Sequence, residues 1–307
     1  MAKILITGGA GNIGSYLAKT LVANQNHSVV VVDNLSTGSL NNIRIENKNF
    51  TFIKADANSF SSMLTIFLNF NFDFVFHFAA VVGVKRTLEN PIKVLEDISN
   101  IKNILELAKN TGVKKVFYSS SSEVYGEPFE IPQNENTTPL NSRLPYAIVK
   151  NVGEAFCRSY YKEFGLNYII FRFFNTYGPH QSEDFVIPRF VKAAMSNKTI
   201  YIHGDGLQSR TFCHIQDNVD TCIRIMENDA YSNEVYNVGD DREITILDLA
   251  REVILLCKSK SEIVHLPPLE EGDMKRRKPD NSKMKAILGK DLIPLKTGIL
   301  ELVAKYK

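Results

Sequence analysis

Apolar residues in the first half of the chain come in short, nearly unbroken runs: Ile4–Thr7, Val29–Asp33, Phe50–Lys54, Phe74–Phe78, Lys115–Ser119 and Tyr168–Phe173. Runs of this length suit strands buried on both faces, and the stretches between them are long enough for covering helices. From Pro91 to Asn110 the period changes. Val94, Ile98, Ile101, Leu105 and Ala108 form one helical stripe, with proline at its start and Gly112 just past its end. Tyr146–Phe164 reads as a second long helix. Alternating buried strands and amphipathic helices predict an α/β protein with a doubly wound parallel sheet over residues 1–178. From about Phe185 the segments shorten around Pro188, Pro267, Pro268 and Pro279. That change predicts a smaller, partly interleaved lobe over 179–307, with a strand and helix returning to the first domain from 205–240. The asparagine-rich stretches Asn41–Asn49 and Asn69–Asn71 read as loops.

Ligands of doubly wound sheets sit beyond the C-terminal strand ends, where this chain carries a glycine-rich turn. Gly8, Gly11 and Gly14 follow the first strand directly, with Asn12 and Ile13 opening the next helix. The first glycine suits a tight turn, the second close approach of a pyrophosphate to backbone N–H groups, and the third close packing of helix on strand. Asp33 ends the second strand nineteen residues after Gly14, placed to accept from the adenosine ribose hydroxyls of NAD. A 2′-phosphate would meet its negative charge, so NAD is expected over NADP. Asn34, Asp56, Ala57, Phe78, Ala79, Ala80, Ser119 and Phe173 stand at further strand ends and complete the expected cofactor set. Asp56 reads equally well as a carboxylate that starts a turn.

Bulk properties narrow the field. A net charge of +2 gives no argument for a nucleic-acid partner. No run of about eighteen apolar residues is present, so no membrane span is expected. Cys157, Cys213, Cys222 and Cys257 have neither metal nor disulfide spacing, which predicts buried thiols in a reducing compartment. The chain opens almost at once with a strand, leaving no room for a signal peptide, and a cytoplasmic protein is expected.

Tyr146 and Lys150 stand four residues apart, hence on one face of a helix. A lysine so placed can lower the proton affinity of the phenol and hold a nicotinamide ribose. The loop Ser119-Ser120-Ser121-Ser122-Glu123-Val124-Tyr125-Gly126 ends a strand some residues earlier and offers hydroxyls to a sugar oxygen. Each feature alone also reads as ordinary surface.

Together with His77-Phe78-Ala79-Ala80, Arg172-Phe173-Phe174-Asn175-Thr176-Tyr177-Gly178-Pro179, His203-Gly204-Asp205-Gly206, Arg210 and Tyr236-Asn237-Val238-Gly239, these motifs resemble the extended short-chain dehydrogenase/reductase family along nearly the whole chain. The resemblance implies a Rossmann-type fold, a tightly held NAD, a nucleoside-diphosphate sugar as substrate and a homodimer. It also implies that Tyr146 is the base, Lys150 its electrostatic partner, Ser121 the sugar-hydroxyl contact, and Asn175 and Arg210 the diphosphate contacts. Dimerisation would use the helices Pro91–Asn110 and Tyr146–Phe164, although the stripe on the first also reads as core.

The shared first step in such enzymes is oxidation at sugar carbon 4. Ser122-Glu123 resembles nucleotide-sugar decarboxylases and GDP-mannose-type dehydratases, and Arg276-Arg277-Lys278-Pro279-Asp280 resembles the decarboxylase pattern, with Arg277 near the substrate carboxylate. Ala79–Pro91 and Asp33–Gly38 resemble 4-epimerases instead, while Asp97 and Asn100 stand where many relatives have asparagine and glycine. Glu123 tilts the expectation slightly toward decarboxylation or 4,6-dehydration, with 4-epimerisation as the alternative and a non-catalytic NAD-binding scaffold as a third. Lys85 and Arg86 read as cleft residues that could bind a sugar carboxylate, or equally as a solvent-facing loop.

Overall fold

The computed structural model describes residues 1–25, 27–82, 87, 89–268 and 276–306. The first half alternates β1 (Lys3–Thr7), α1 (Asn12–Gln25), β2 (Ser28–Asp33), β3 (Phe50–Lys54), α2 (Phe60–Phe70), β4 (Phe74–His77), α3 (Pro91–Thr111), β5 (Lys115–Ser121), α4 (Pro145–Phe164) and β6 (Asn167–Phe173). Shorter pieces follow: β7 (Thr176–Tyr177), α5 (Val186–Met195), β8 (Ile200–His203), β9 (Ser209–Thr211), β10 (Cys213–His214), α6 (Ile215–Met226) and β11 (Glu234–Val238). The chain closes with β12 (Glu243–Thr245), α7 (Ile246–Cys257), β13 (Ile263–Leu266), α8 (Ser282–Leu288) and α9 (Leu295–Tyr306).

Seven parallel strands lie side by side in the order β11-β6-β5-β4-β1-β2-β3. The strand order reverses between β1 and β4, and there the connections leave for opposite faces and open a crevice. Both faces are covered, which is why the strands read as continuous apolar runs. Ile4, Ile6, Val29 and Val31 face Leu17, Leu21, Val219 and Ile225 on one side, whereas Leu5, Val30 and Val32 face Met63, Phe67, Ile101 and Leu105 on the other. A third core, including Phe190, Val191, Leu249, Val253, Ile299 and Leu302, joins α5, α7 and α9 in the smaller lobe.

The stripe on α3 is core: Val94, Ile101, Leu105 and Ala108 are buried and Ile98 is half-buried. Gly112 ends that helix at φ 77, its N–H returning to the Ala108 carbonyl. Asn69 does not lie in a loop. It belongs to α2, whose Met63, Ile66 and Phe67 are buried, and only Asn71 (φ 48) leaves the helix, as its left-handed cap. Similarly, Leu40–Ile43 forms a helical turn capped by the Ser39 hydroxyl. Within 205–240, β9 pairs with β12 outside the main sheet, so the chain returns to the sheet through α6, which packs on α1, and β11. Among the described residues no helix is long and apolar enough to cross a membrane.

Candidate active site

A cavity of about 750 Å³ opens above the C-terminal ends of the central strands. Gly8, at φ 67, crosses the end of β4 so closely that a Cβ there would stand 2.6 Å from the Ala79 nitrogen. Only glycine permits that crossing. A Cβ on Gly14 would stand 2.7 Å from the Gly8 carbonyl oxygen, so α1 starts directly against the turn. A Cβ on Gly11 would meet only the Gly8 oxygen, at 3.2 Å, and otherwise project into open space; nearby, the Asn12 Oδ1 is buried and unpartnered. Gly11, Asn12, Ile13 and Gly14 thus present a helix start to the cavity, an arrangement that fits a dinucleotide pyrophosphate.

Asp33 is fixed by the Ala10 N–H (2.9 Å, to Oδ2) and the Leu35 N–H (2.7 Å, to Oδ1), which leaves each oxygen a lone pair for a ribose hydroxyl. Asn34, Asp56, Ala57, Phe78, Ala79, Ala80, Ser119 and Phe173 all line the same cavity. Asp56 starts a turn, its Oδ1 accepting from the Asn58 N–H (2.9 Å), and it also lines the cavity.

Tyr146 and Lys150 meet one helical turn apart at the start of α4. The Lys150 ammonium, 2% exposed, donates to the Ser119 carbonyl at 2.6 Å and lies 5.7 Å from the centre of the Tyr146 ring. Burial pulls this ammonium down to about 8, against the charge of Asp97. Burial and the Glu123 carboxylate push the Tyr146 phenol up, while the Ser121 hydroxyl and Arg277 act in the opposite direction. The Ser121 hydroxyl also accepts the Glu123 N–H (3.2 Å), so one side chain fixes both the loop and the phenol. Ser122 is buried and lines the cavity beside it.

A family model described as the NAD dependent epimerase/dehydratase family matches residues 4–239. The chain belongs to this family. It is an NAD-dependent enzyme. It is 36% identical over 299 residues to a UDP-N-acetyl-alpha-D-glucosaminuronate decarboxylase of Bacillus cytotoxicus, covering 92% of this chain and 90% of that protein. It is 35% identical over 310 residues to a putative UDP-glucose 4-epimerase of Methanocaldococcus jannaschii, covering 98% and 97%. Among solved structures it resembles a UDP-glucose 4-epimerase of Thermotoga maritima with UDP-glucose, at TM-score 0.91 and 32% identity, covering 99% of this chain and 98% of that one.

In this epimerase/dehydratase the cavity lining also holds an ion pair. Arg277, 5% exposed, places Nη2 2.8 Å from Glu123 Oε1, and the second oxygen of Glu123 is buried without a partner. The Arg277 segment is pinned by Gln133, which donates to the Lys278 carbonyl and accepts from the Asp280 N–H, both at 2.8 Å. The basic run around it is not a uniform solvated face. Arg276 instead pairs with Glu243 at 2.6 Å, away from Glu123.

A buried network supports the serine loop from behind. Ser120 donates to Glu154 Oε1 (2.7 Å), Arg172 clamps both Glu154 oxygens at 2.8 Å, and its Nη1 donates to the Tyr125 hydroxyl at 2.9 Å. Tyr125 passes its own proton to Asn237 Oδ1 at 2.7 Å. In the sequence, Arg172, Tyr125 and Asn237 have no role beyond their place in family motifs; the polar break that Arg172 makes in an apolar strand is the signal that points to this network. His180, 2.8 Å from the Ser15 hydroxyl, also lines the cavity and was missed.

At the substrate end, Asn175 lines the cavity and donates to the Thr211 carbonyl (3.0 Å), with Val186, Ile187 and Phe212 forming an apolar wall. Arg210 is not brought to that wall. It is buried on β9, and its Nη1 donates to the Ser209 carbonyl at 2.7 Å. Lys85 and Arg86 lie outside the described residues.

Proposed function

We propose that this enzyme oxidises carbon 4 of a uronate-bearing nucleoside-diphosphate sugar and releases its carboxylate as carbon dioxide. The Arg277–Glu123 pair, buried in the same cavity as Tyr146, carries this reading. Bound NAD would supply the redox chemistry, taking the hydride from carbon 4 and returning it to the same carbon after the carboxylate has left and carbon 5 has been protonated. Tyr146, with Lys150 behind it, takes the hydroxyl proton. The resulting ketone is β to the carboxylate, so the electrons of the breaking carbon–carbon bond flow into the carbonyl, and the Tyr146 phenol donates a hydrogen bond to the oxygen that gains charge. Arg277 offers a planar fork to the substrate carboxylate. Glu123 faces the same group as an anion, which favours its departure as a neutral molecule. Asn175 serves the diphosphate, and Arg210 joins it by leaving the Ser209 carbonyl. The similarity to the Bacillus cytotoxicus decarboxylase supports the reading.

The second reading is 4-epimerisation. It is favoured by the likeness to the Thermotoga maritima epimerase, and it needs Tyr146 but neither Glu123 nor Arg277. Incubation with UDP-glucuronate, UDP-N-acetylglucosaminuronate, UDP-glucose and GDP-mannose, with products resolved by mass spectrometry and NMR, separates the two. Loss of carbon dioxide from a uronate is expected, and Arg277→Gln should lower kcat/KM for that substrate by about 10²-fold or more. Unchanged product mass with altered ring proton couplings would establish the epimerase.

We further propose that the enzyme is a cytoplasmic homodimer. The buried free thiols Cys157, Cys213 and Cys222 suit a reducing compartment. The exposed apolar side chains Ile92 and Leu95 on α3 and Ile148 on α4 lie on two helices that pack side by side. This is a different face of α3 from the core stripe. Ile148→Glu is expected to convert a dimer into a monomer in sedimentation velocity, and a wild-type monomer would refute the dimer.

A further inference from the structure

One buried acid beside the catalytic pair has no part in the reaction as derived above. Asp97, on α3, is 6% exposed yet lines the cavity. Its Oδ2 accepts the Val81 N–H at 2.7 Å, and its Oδ1 accepts the side-chain amide of Asn100 at 3.0 Å. The Asn100 oxygen therefore faces His77 Nε2 (2.9 Å), whose Nδ1 lies 2.8 Å from the Thr7 hydroxyl, and Thr7 in turn accepts the Ala79 N–H at 3.3 Å. Asn100 spends its N–H on the carboxylate, so its oxygen accepts from His77 Nε2. With the buried ring neutral, Nδ1 accepts from the Thr7 hydroxyl, and each of these contacts to Asp97 is a donor, as suits an ionised carboxylate. His77 is pulled down to about 3 by burial and by Lys150.

Burial pushes the Asp97 carboxyl up, the Val81 N–H and the Lys150 charge act against that push, and the Asp97 charge in turn acts on Lys150. The Lys150 ammonium sits 5.2 Å from the centre of the Tyr118 ring, and Tyr118 stacks on His77 at 6.1 Å. The titratable groups facing the cluster are His77 from β4, Tyr118 from β5, Tyr146 and Lys150 from α4, and Asp56 beyond β3. Around Tyr146 and Tyr118 stand also Glu123, Arg277, Glu154 and Cys157, while Lys93 and Glu96 line the cavity from α3. Of these, Asp97 is the carboxylate that acts on Lys150, and it acts to keep the ammonium charged against its burial.

We propose that Asp97 is a positioning residue for the proton transfer: its buried negative charge holds Lys150 protonated behind Tyr146 and sets the pH range in which the pair works. The proposal rests on Tyr146 as the base, which decarboxylation and epimerisation share. Removing the charge disfavours the ammonium and favours the phenolate, so both groups then titrate at lower pH.

Asp97→Asn preserves shape, and its amide oxygen can still accept the Val81 N–H. The pH dependence of single-turnover reduction of bound NAD by the nucleotide sugar, followed by absorbance, should shift on both limbs to lower pH by about half a unit or more. Asp97→Glu should restore most of the profile. A lower rate on unmoved limbs would overturn the proposal and leave Asp97 a structural residue. A second measurement does not depend on the sugar: titration of the lysine ¹³Cε resonances of NAD-free protein, with the Lys150 signal assigned by its loss in Lys150→Met. A lower Lys150 midpoint in Asp97→Asn supports the proposal, and an unchanged midpoint overturns it even where no sugar of the panel reduces NAD. Should Asp97→Asn fail to fold, Asp97→Ser carries the same expected shift.

Discussion

Tyr146→Phe is expected to lower turnover of the preferred nucleotide sugar by about 10²–10⁴-fold while NAD stays bound. The phenol is the cavity-facing group that stands one turn from Lys150 and interacts with Ser121. Removing its oxygen deletes the proposed proton acceptor and leaves the proposed cofactor contacts in place, since Gly11–Gly14, Asp33 and the Lys150–Ser119 bond do not involve that atom. Burial, Glu123 and Asp97 work against ionisation of this phenol, and the Ser121 hydroxyl and the positive charge of Arg277 favour it. A simple hydrogen-bonding role would cost far less. NAD content, measured after denaturing purified wild type and variant, and single-turnover reduction of that NAD distinguish lost chemistry from lost cofactor. Undiminished reduction would assign the base elsewhere. A protein acting as a cofactor-binding scaffold would keep its cellular role with phenylalanine at this position.

Six strands of the sheet were legible because each carries its own apolar signal, from the fully buried centre of the sheet to the half-buried edge strand β3. β11 was foreseen only as a strand returning somewhere in 205–240. It begins with exposed Glu234 and pairs with β6 across more than sixty residues, a partner that no local pattern names. The asparagine-rich end of α2 misled for the opposite reason: burial of Met63, Ile66 and Phe67 outweighed the weak helix propensity of Asn69. The placement of the glycine turn and of the Tyr146 and Lys150 side chains was legible because short local spacing fixes their geometry. Glu123 and Arg277 were each singled out by resemblance, but their contact depends on the Gln133 bridge that anchors the Arg277 segment. The placement of Arg210 was not legible, because β9 pairs with β12 and its guanidinium donates to the neighbouring Ser209 carbonyl. The chain from Thr7 through His77 and Asn100 to Asp97 joins two strands and a helix at the switch point. Its members carry meaning only once those elements are brought together.

Arg172→Met is expected to destabilise the protein by about 3–5 kcal/mol, the largest stability effect we anticipate. Arg172 is 2% exposed and Glu154 fully buried, so losing the fork strands a carboxylate in the interior. Ser120 and the half-exposed Arg158 (3.0 Å) remain beside Glu154, but neither replaces two bonds and a desolvated charge. Burial alone would push the Glu154 carboxyl up. The bonds and charge of Arg172, with Ser120, more than undo this and leave it below the ordinary carboxylate range. A folded-state value below the unfolded one means that the pair stabilises the protein above the ordinary carboxylate pKa of about 4.3 and loses that contribution as pH falls through the folded value. In the variant, burial dominates, and protonation relieves the stranded charge. The stability gap between wild type and Arg172→Met, from urea unfolding, should therefore narrow between pH 7 and pH 4. Adding Glu154→Leu should recover part of the loss, because a paired apolar replacement leaves no buried charge. Because Ser120 hangs from Glu154 between Ser119 and Ser121, the single variant should also weaken NAD retention. A gap that stays constant with pH, together with unaltered NAD retention, would mean that the clamp neither carries the charge nor holds the serine loop.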